Sequence, residues 1–220
     1  MGFDAESVRE LVVRLPVVLF ALTMHEFMHA WVALKCGDDT ALRAGRITLN
    51  PLAHLDPLGT ICLIFGPIGW AKPVPVNRGN FNYETARRDH ILVSGAGIAA
   101  NFTLGVACAL VLRFFGPQVY AIPEVGPTVV SLISAGALIN FALALFNLLP
   151  IPPLDGSHIL EQLLPLNAAI RFNEFRRHGI FILLLFVLVD GFIVVKVLGF
   201  SLLWYPIRWL AEFFSGVHFI

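Results

Sequence analysis

The sequence predicts an all-α polytopic membrane protein, with about four to six transmembrane helices and a short re-entrant or β-strand insertion after the first. Three observations carry that prediction. Of 220 residues, 57% are hydrophobic and 14% charged, against about 25% charged in a soluble domain. The mean hydropathy is +0.79. Apolar runs of roughly 20 residues, the length that crosses a bilayer, recur along the chain. Together these exclude disorder, a coiled coil and an ordinary cytosolic enzyme. Lys and Arg number 15, as do Asp and Glu, so no basic face is offered to nucleic acid. Cys36, Cys62 and Cys108 form no CxxC pair, and an odd number completes no disulfide framework. The length fits one membrane-embedded domain, residues 1–220.

Taken in order, residues 11–34 form the first span, 91–115 the second, 126–149 the third and 179–199 the fourth. The first is not a signal peptide, because it lacks a small-residue cleavage site and carries His25, Glu26 and His29. The tail, residues 200–220, is rich in Trp204, Tyr205, Trp209, Phe213 and Phe214. It reads as an interfacial helix or an extra span. The connection after the first span holds Lys35, Arg43, Arg46, Lys72, Arg78, Arg87 and Arg88, and the one after the third holds Arg171, Arg176 and Arg177. The connection between spans two and three has no Lys or Arg. The positive-inside rule therefore puts the first and third connections in the cytoplasm of a multi-pass cell-membrane protein.

Within the first connection, residues 61–70 are apolar but too short to span, and Gly66, Pro67 and Gly69 interrupt them. Residues 71–76 follow, with Pro73 and Pro75 at alternate positions. In a strand, residues two apart point their N–H groups to one edge. The prolines leave one edge without donors, while Val74 and Val76 offer theirs on the other, which predicts a one-sided edge strand. A proline-rich surface loop is the alternative.

His25-Glu26-Phe27-Met28-His29 fits H-E-x-x-H, a pattern that roughly one in a hundred shuffled chains of this composition would contain. On a helix, positions 25 and 29 lie about 40° from eclipsed and about 6 Å apart along the axis, so both imidazoles reach one metal ion. Glu26, turned about 100° from His25, is placed to serve a water at that ion. Three ionisable groups in one apolar span are costly, at about 2.5–3.5 kcal/mol for each charged group at the bilayer centre, and a cation offsets that cost. Zinc is the expected ion, a single one, with three protein ligands and an open position. His29 lies five residues before Leu34, so the ion sits within the membrane but nearer its cytoplasmic side.

Candidates for the third ligand are His54, Asp56, Asp155, His158, Glu161 and Asp190. Asp155 follows Pro150, Pro152 and Pro153, which end the third span and aim a carboxylate back toward the histidines. His54 and Asp56 sit in the turn-rich stretch Asn50-Pro51-Leu52-Ala53-His54-Leu55-Asp56-Pro57-Leu58-Gly59. Physics alone leaves Asp155 and His54 nearly tied. Asn101, Asn140 and Asn147 lie along spans two and three, either lining a polar cleft or joining helices. Ser94, Gly95, Gly97, Ala99 and Ala100 read as close packing only.

These pieces, from about residue 15 to 160, resemble the site-2 proteases, intramembrane zinc metallopeptidases. The resemblance rests on His25-Glu26-x-x-His29, on Asn50-Pro51-x-x-His54-x-Asp56-Pro57-x-Gly59, and on Asn147-Leu148-Leu149-Pro150-Ile151-Pro152-Pro153-Leu154-Asp155-Gly156, in that order. It implies zinc held by His25, His29 and Asp155, with Glu26 as the catalytic carboxylate and Asn147 on the developing oxyanion. His54 is then near the site but no first-choice ligand, and Val74 and Val76 hold extended substrate. No inserted PDZ-like or CBS-like domain is visible, so the chain resembles a minimal, core-only member. The implied substrates are membrane-anchored proteins or remnant signal peptides within the lipid bilayer. Pairing with a second copy is left open. The competing reading is a catalytically silent or transport-related zinc-binding membrane protein. Transport would spread ionisable groups over several spans, and a silent relative would be expected to lose Glu26.

Overall fold

The computed structural model describes residues 5–65 and 69–219. It is an all-α fold in which four helical stretches are long and apolar enough to cross a bilayer. Helix α1 (Ala5–Lys35) has 31 residues. Along it Ala21, His25, His29 and Ala33 recur every four residues, and all are buried, so small and functional side chains share one inward stripe. After α1 come α2 (Thr40–Arg43), a 3-10 turn at Pro51–His54 and α3 (Pro57–Phe65).

Helix α4 (Ala86–Tyr120) is the centre of the bundle, packing against α1, α5 (Gly126–Leu148), α6 (Asp155–Leu163) and α10 (Trp204–Ser215). It begins earlier and ends later than the apolar run 91–115. Arg87 and Arg88 end an apolar window but form helix readily, and Asp89 suits the first turn, where it accepts a hydrogen bond from the Thr85 hydroxyl at 2.5 Å. The core of the bundle joins Ala109, Ala137, Phe141, Ile207 and Ala211. At Gly105 a Cβ would lie 2.9 Å from the Phe141 ring, so α4 and α5 approach over a glycine.

The fourth stretch runs from Leu166 to Leu198, not 179–199. It comprises α7 (Leu166–Phe175), a 3-10 turn at Arg176–His178, α8 (Gly179–Val189), a π-turn at Asp190–Val194 and α9 (Val195–Leu198). Arg171, Asn173 and Glu174 make α7 amphipathic, which hides it from an apolar window. Ile180, Phe181, Leu185, Leu188 and Phe192 are all more than half exposed, as lipid-facing side chains should be. The tail forms α10, whose 12 residues extend about 18 Å, too short to span. Its Ile207 and Ala211 enter the core, while Trp204, Tyr205, Trp209 and Phe213 stay about half exposed or more.

The insertion differs from expectation. Residues 57–65 are helical, and residues 66–68 of the expected re-entrant segment lie outside the described residues. No strand forms among the described residues; the predicted edge strand is reduced to one isolated antiparallel bridge, Leu55 with Ala71. The physical reason is the absence of a second strand. With prolines at 73 and 75 the segment cannot build a ladder within its own chain, so other groups hold it.

Candidate metal centre

Three ligand atoms converge where α1 meets the start of α6. His25 Nε2 and His29 Nε2 are 3.0 Å apart, and Asp155 Oδ2 lies 3.1 Å from each. One turn of α1 supplies the two imidazoles. The turn-rich run after α5 supplies the carboxylate, as the first residue of α6. That close return depends on Gly156, where a Cβ would sit 2.2 Å from the Leu148 carbonyl oxygen. His25 is 5% and His29 7% exposed, so water alone does not solvate them.

The donor set fits a tetrahedral cation. His29 Nδ1 donates to the Val93 carbonyl at 2.7 Å, and His25 Nδ1 lies 2.6 Å from Asn101 Oδ1. The Nε2 atoms of both rings and a carboxylate oxygen of Asp155 thus face one another. Tetrahedral zinc with bonds of about 2.0–2.1 Å places its ligand atoms about 3.3 Å apart, close to the triangle found. Among the described residues these are the His, Cys, Asp and Glu side chains that form such a group.

The imidazoles have room only because α4 presents Gly97, whose sequence context predicts close packing alone. A Cβ there would lie 2.5 Å from His29 Nε2 and 2.6 Å from His25 Cε1.

Glu26, 9% exposed, does not join the triad. Its Oε2 accepts a hydrogen bond from the Val74 N–H at 2.8 Å. Val74 and Val76 both line the same cleft, of about 610 Å³, as His25, Glu26, Asn147 and Asp155. The Val74 donor is thus engaged, whereas the Val76 N–H makes no hydrogen bond among the described residues. Two charged groups without any motif brace the segment. Arg46 donates to the carbonyls of Lys72 at 2.6 Å and Pro73 at 3.3 Å. Buried Asp38 accepts from Asn77 N–H at 2.7 Å and Asn80 Nδ2 at 2.7 Å. Burial pushes the Asp38 carboxyl up, and the hydrogen bonds from Thr40, Asn77 and Asn80 overcome it and hold it below its ordinary range.

The remaining candidates have other partners. His54 is buried, and its Nε2 donates to the Thr48 carbonyl at 2.9 Å, while its own carbonyl accepts from Lys72 N–H at 2.8 Å. Asp56 Oδ1 caps α3 through Gly59 N–H at 2.8 Å. Asp190 accepts from Leu202 N–H at 2.7 Å and the Ser201 hydroxyl at 2.5 Å, fixing the turn into α10. Glu161 pairs with Arg176 at 2.7 Å and Arg78 at 3.6 Å. Burial raises its carboxyl, and the two guanidiniums outweigh that and lower it. His158 Nδ1 is 3.1 Å from Arg78 Nη2. Asn147 Nδ2 donates to the Leu143 carbonyl at 3.0 Å at the edge of the cleft. Asn140 lies deeper, its Oδ1 accepting from Asn101 at 2.9 Å.

Residues 118–189 match the model of peptidase family M50. A Bacillus subtilis (strain 168) protein named "Putative zinc metalloprotease YwhC" is 38% identical over 190 residues, 85% of this chain and 82% of that relative. The chain belongs to peptidase family M50, the site-2 protease family. Two further relatives carry the name "Putative zinc metalloprotease Rip2". That of Mycolicibacterium smegmatis is 36% identical over 146 residues, and that of Mycobacterium tuberculosis H37Rv is 33% identical over 147. Each alignment covers 65% of this chain and 54% of the relative. No solved structure matches the chain. The M50 match spans Asn147 and Asp155, so the family assignment and the converged triad meet at the same carboxylate.

Proposed function

We propose that this M50 chain is a zinc metalloendopeptidase that hydrolyses peptide bonds within or next to transmembrane segments of membrane-anchored substrates. The observation that carries this reading is the convergence of His25, His29 and Asp155 beside Glu26 in a cleft inside the helical bundle. A zinc ion held by that triad would supply Lewis acidity toward water and toward a peptide carbonyl.

The chain's own residues do the rest. Glu26 takes a proton from the attacking water as the water oxygen joins the carbonyl carbon. It returns that proton to the amine nitrogen as the C–N bond breaks. Asn147 spends one Nδ2 hydrogen on Leu143 and keeps the other for the developing oxyanion.

A peptide bond inside a helix is shielded, and unwinding it in lipid strands its polar groups. Val76, and Val74 once Glu26 releases it, offer backbone donors to an extended substrate by β-augmentation. An apolar groove of about 540 Å³ shares Leu22, Leu143 and Phe146 with the cleft and continues to Val187 and Ile207; it gives a substrate helix a path from the bilayer. The positive-inside pattern supports a catalytic cleft nearer the cytoplasmic side of the cell membrane.

The test is cleavage of a membrane-anchored model substrate by purified wild type and Glu26→Gln. The variant is expected to bind zinc and cleave nothing. Wild-type turnover in the variant overturns the assignment of Glu26.

A further inference from the structure

Between α1, α4 and α5 a file of hydrogen bonds runs away from the metal triad into the interior of the bundle. It ends on backbone carbonyls, which accept and never donate. Asn140 Nδ2 donates to the Gly136 carbonyl at 2.9 Å, so Asn140 Oδ1 must face α4. There it accepts from Asn101 Nδ2 at 2.9 Å. The same Asn101 nitrogen donates to the Ala21 carbonyl at 3.1 Å. Both hydrogens of that amide are thereby placed, and Asn101 Oδ1 is left facing His25 Nδ1 at 2.6 Å. An amide oxygen only accepts, so the proton of the neutral His25 ring belongs on Nδ1 and the lone pair on Nε2.

We propose that Asn101, its amide orientation locked by Asn140 and the Ala21 carbonyl, is a positioning residue that sets the His25 tautomer for metal binding before any ion arrives. The inference deepens the proposed zinc site and rests on it. His29 receives the equivalent instruction from the Val93 carbonyl, which no side-chain substitution removes, so Asn101 is the point where the arrangement can be broken. Asn101 is 0% and Asn140 3% exposed, so both amides are shielded from bulk water. Two asparagines joined across helices would serve equally as packing glue, but glue does not require the amide to turn its oxygen to the ligand. Partners behind a metal-bound histidine typically matter about 10- to 100-fold in metal affinity.

The experiment uses the full chain in detergent and has two readouts besides activity. In the metal-free wild type, above neutral pH, 15N spectra of the histidines should show His25 protonated on Nδ1. Zinc affinity by chelator competition should fall about 10- to 100-fold in Asn101→Ala, and by a smaller factor in Asn140→Ala, which unlocks the amide without removing it. Thermal melts of both variants separate lost folding from lost affinity. A proton found on His25 Nε2 in the wild type overturns the proposal, as does wild-type zinc affinity in folded Asn101→Ala. Should Asn101→Ala fail to fold, the wild-type tautomer decides alone. Failure of the wild type to bind zinc at all would instead sink the zinc site itself, and the two failures are therefore distinct.

Discussion

The carboxylate of Glu26 and the backbone N–H of Val74 meet at 2.8 Å, joining the proposed base to the segment proposed to hold substrate. One hydrogen bond thus couples two functions read separately from the sequence. Under the proposed mechanism, a substrate strand that took over the Val74 donor would free Glu26 to act on water.

Val74→Pro removes that donor and is expected to lower cleavage by at least about tenfold, as misplacement near a reacting centre does, while zinc content stays at the wild-type level. Val76→Pro leaves the Glu26 bond intact and is expected to impair cleavage through substrate pairing alone. A coupled cleavage and metal assay on the two variants checks this, and normal turnover in both would remove the clamp.

Gly97→Ala should empty the metal site. Its added methyl would come within 2.5–2.7 Å of both imidazoles, and the rings must leave the triangle to make room. Metal affinity is expected to drop by about tenfold or more. Gly95→Ala is the matched control, since a Cβ there meets nothing within 4 Å. Equal zinc binding by the two variants would contradict the close approach of α4 to the ligands.

The bracing of the proline-valine segment depends on pH through Asp38, and the ion pairs of Glu161 with Arg78 and Arg176 depend on it likewise, since both carboxyls are held below their ordinary ranges. A depressed carboxyl contributes stability that is fully present above its unfolded pKa, about 4 for these residues, and lost as the pH falls through the lower folded value. The melting-temperature difference between wild type and Asp38→Asn is therefore expected to stay constant from pH 7 to about 5 and to shrink below about 4. Asp38→Asn should melt lower than wild type at pH 7 and lose less on acidification. An identical pH profile in that variant would show that Asp38 does not brace the segment.

Much of the site was legible because one helical turn fixes it. The four-residue spacing of His25 and His29 dictates a shared face whatever surrounds the helix. Asp155 was a different matter. Its carboxylate arrives from 126 positions further along the chain, and spacing alone could not separate it from His54, which the fold commits to Thr48 and Lys72 instead. Arg46 and Asp38 carried no signal, since their function depends on carbonyl and N–H groups brought to them by loop geometry. Gly97 and Asn101 stood out as small and polar residues in an apolar run, but their partners on α1 are matters of register that hydropathy does not encode. The helix starts at 86 and 166 lie outside the apolar windows for a related reason, as arginine and glutamate end such a window yet continue a helix at little cost.

Whether His25, His29 and Asp155 together hold one catalytic cation is decided by zinc analysis of purified wild type and Asp155→Ala after the same chelator wash. One zinc per wild-type chain, and near none in the variant, is the predicted result. Undiminished zinc in Asp155→Ala would contradict it.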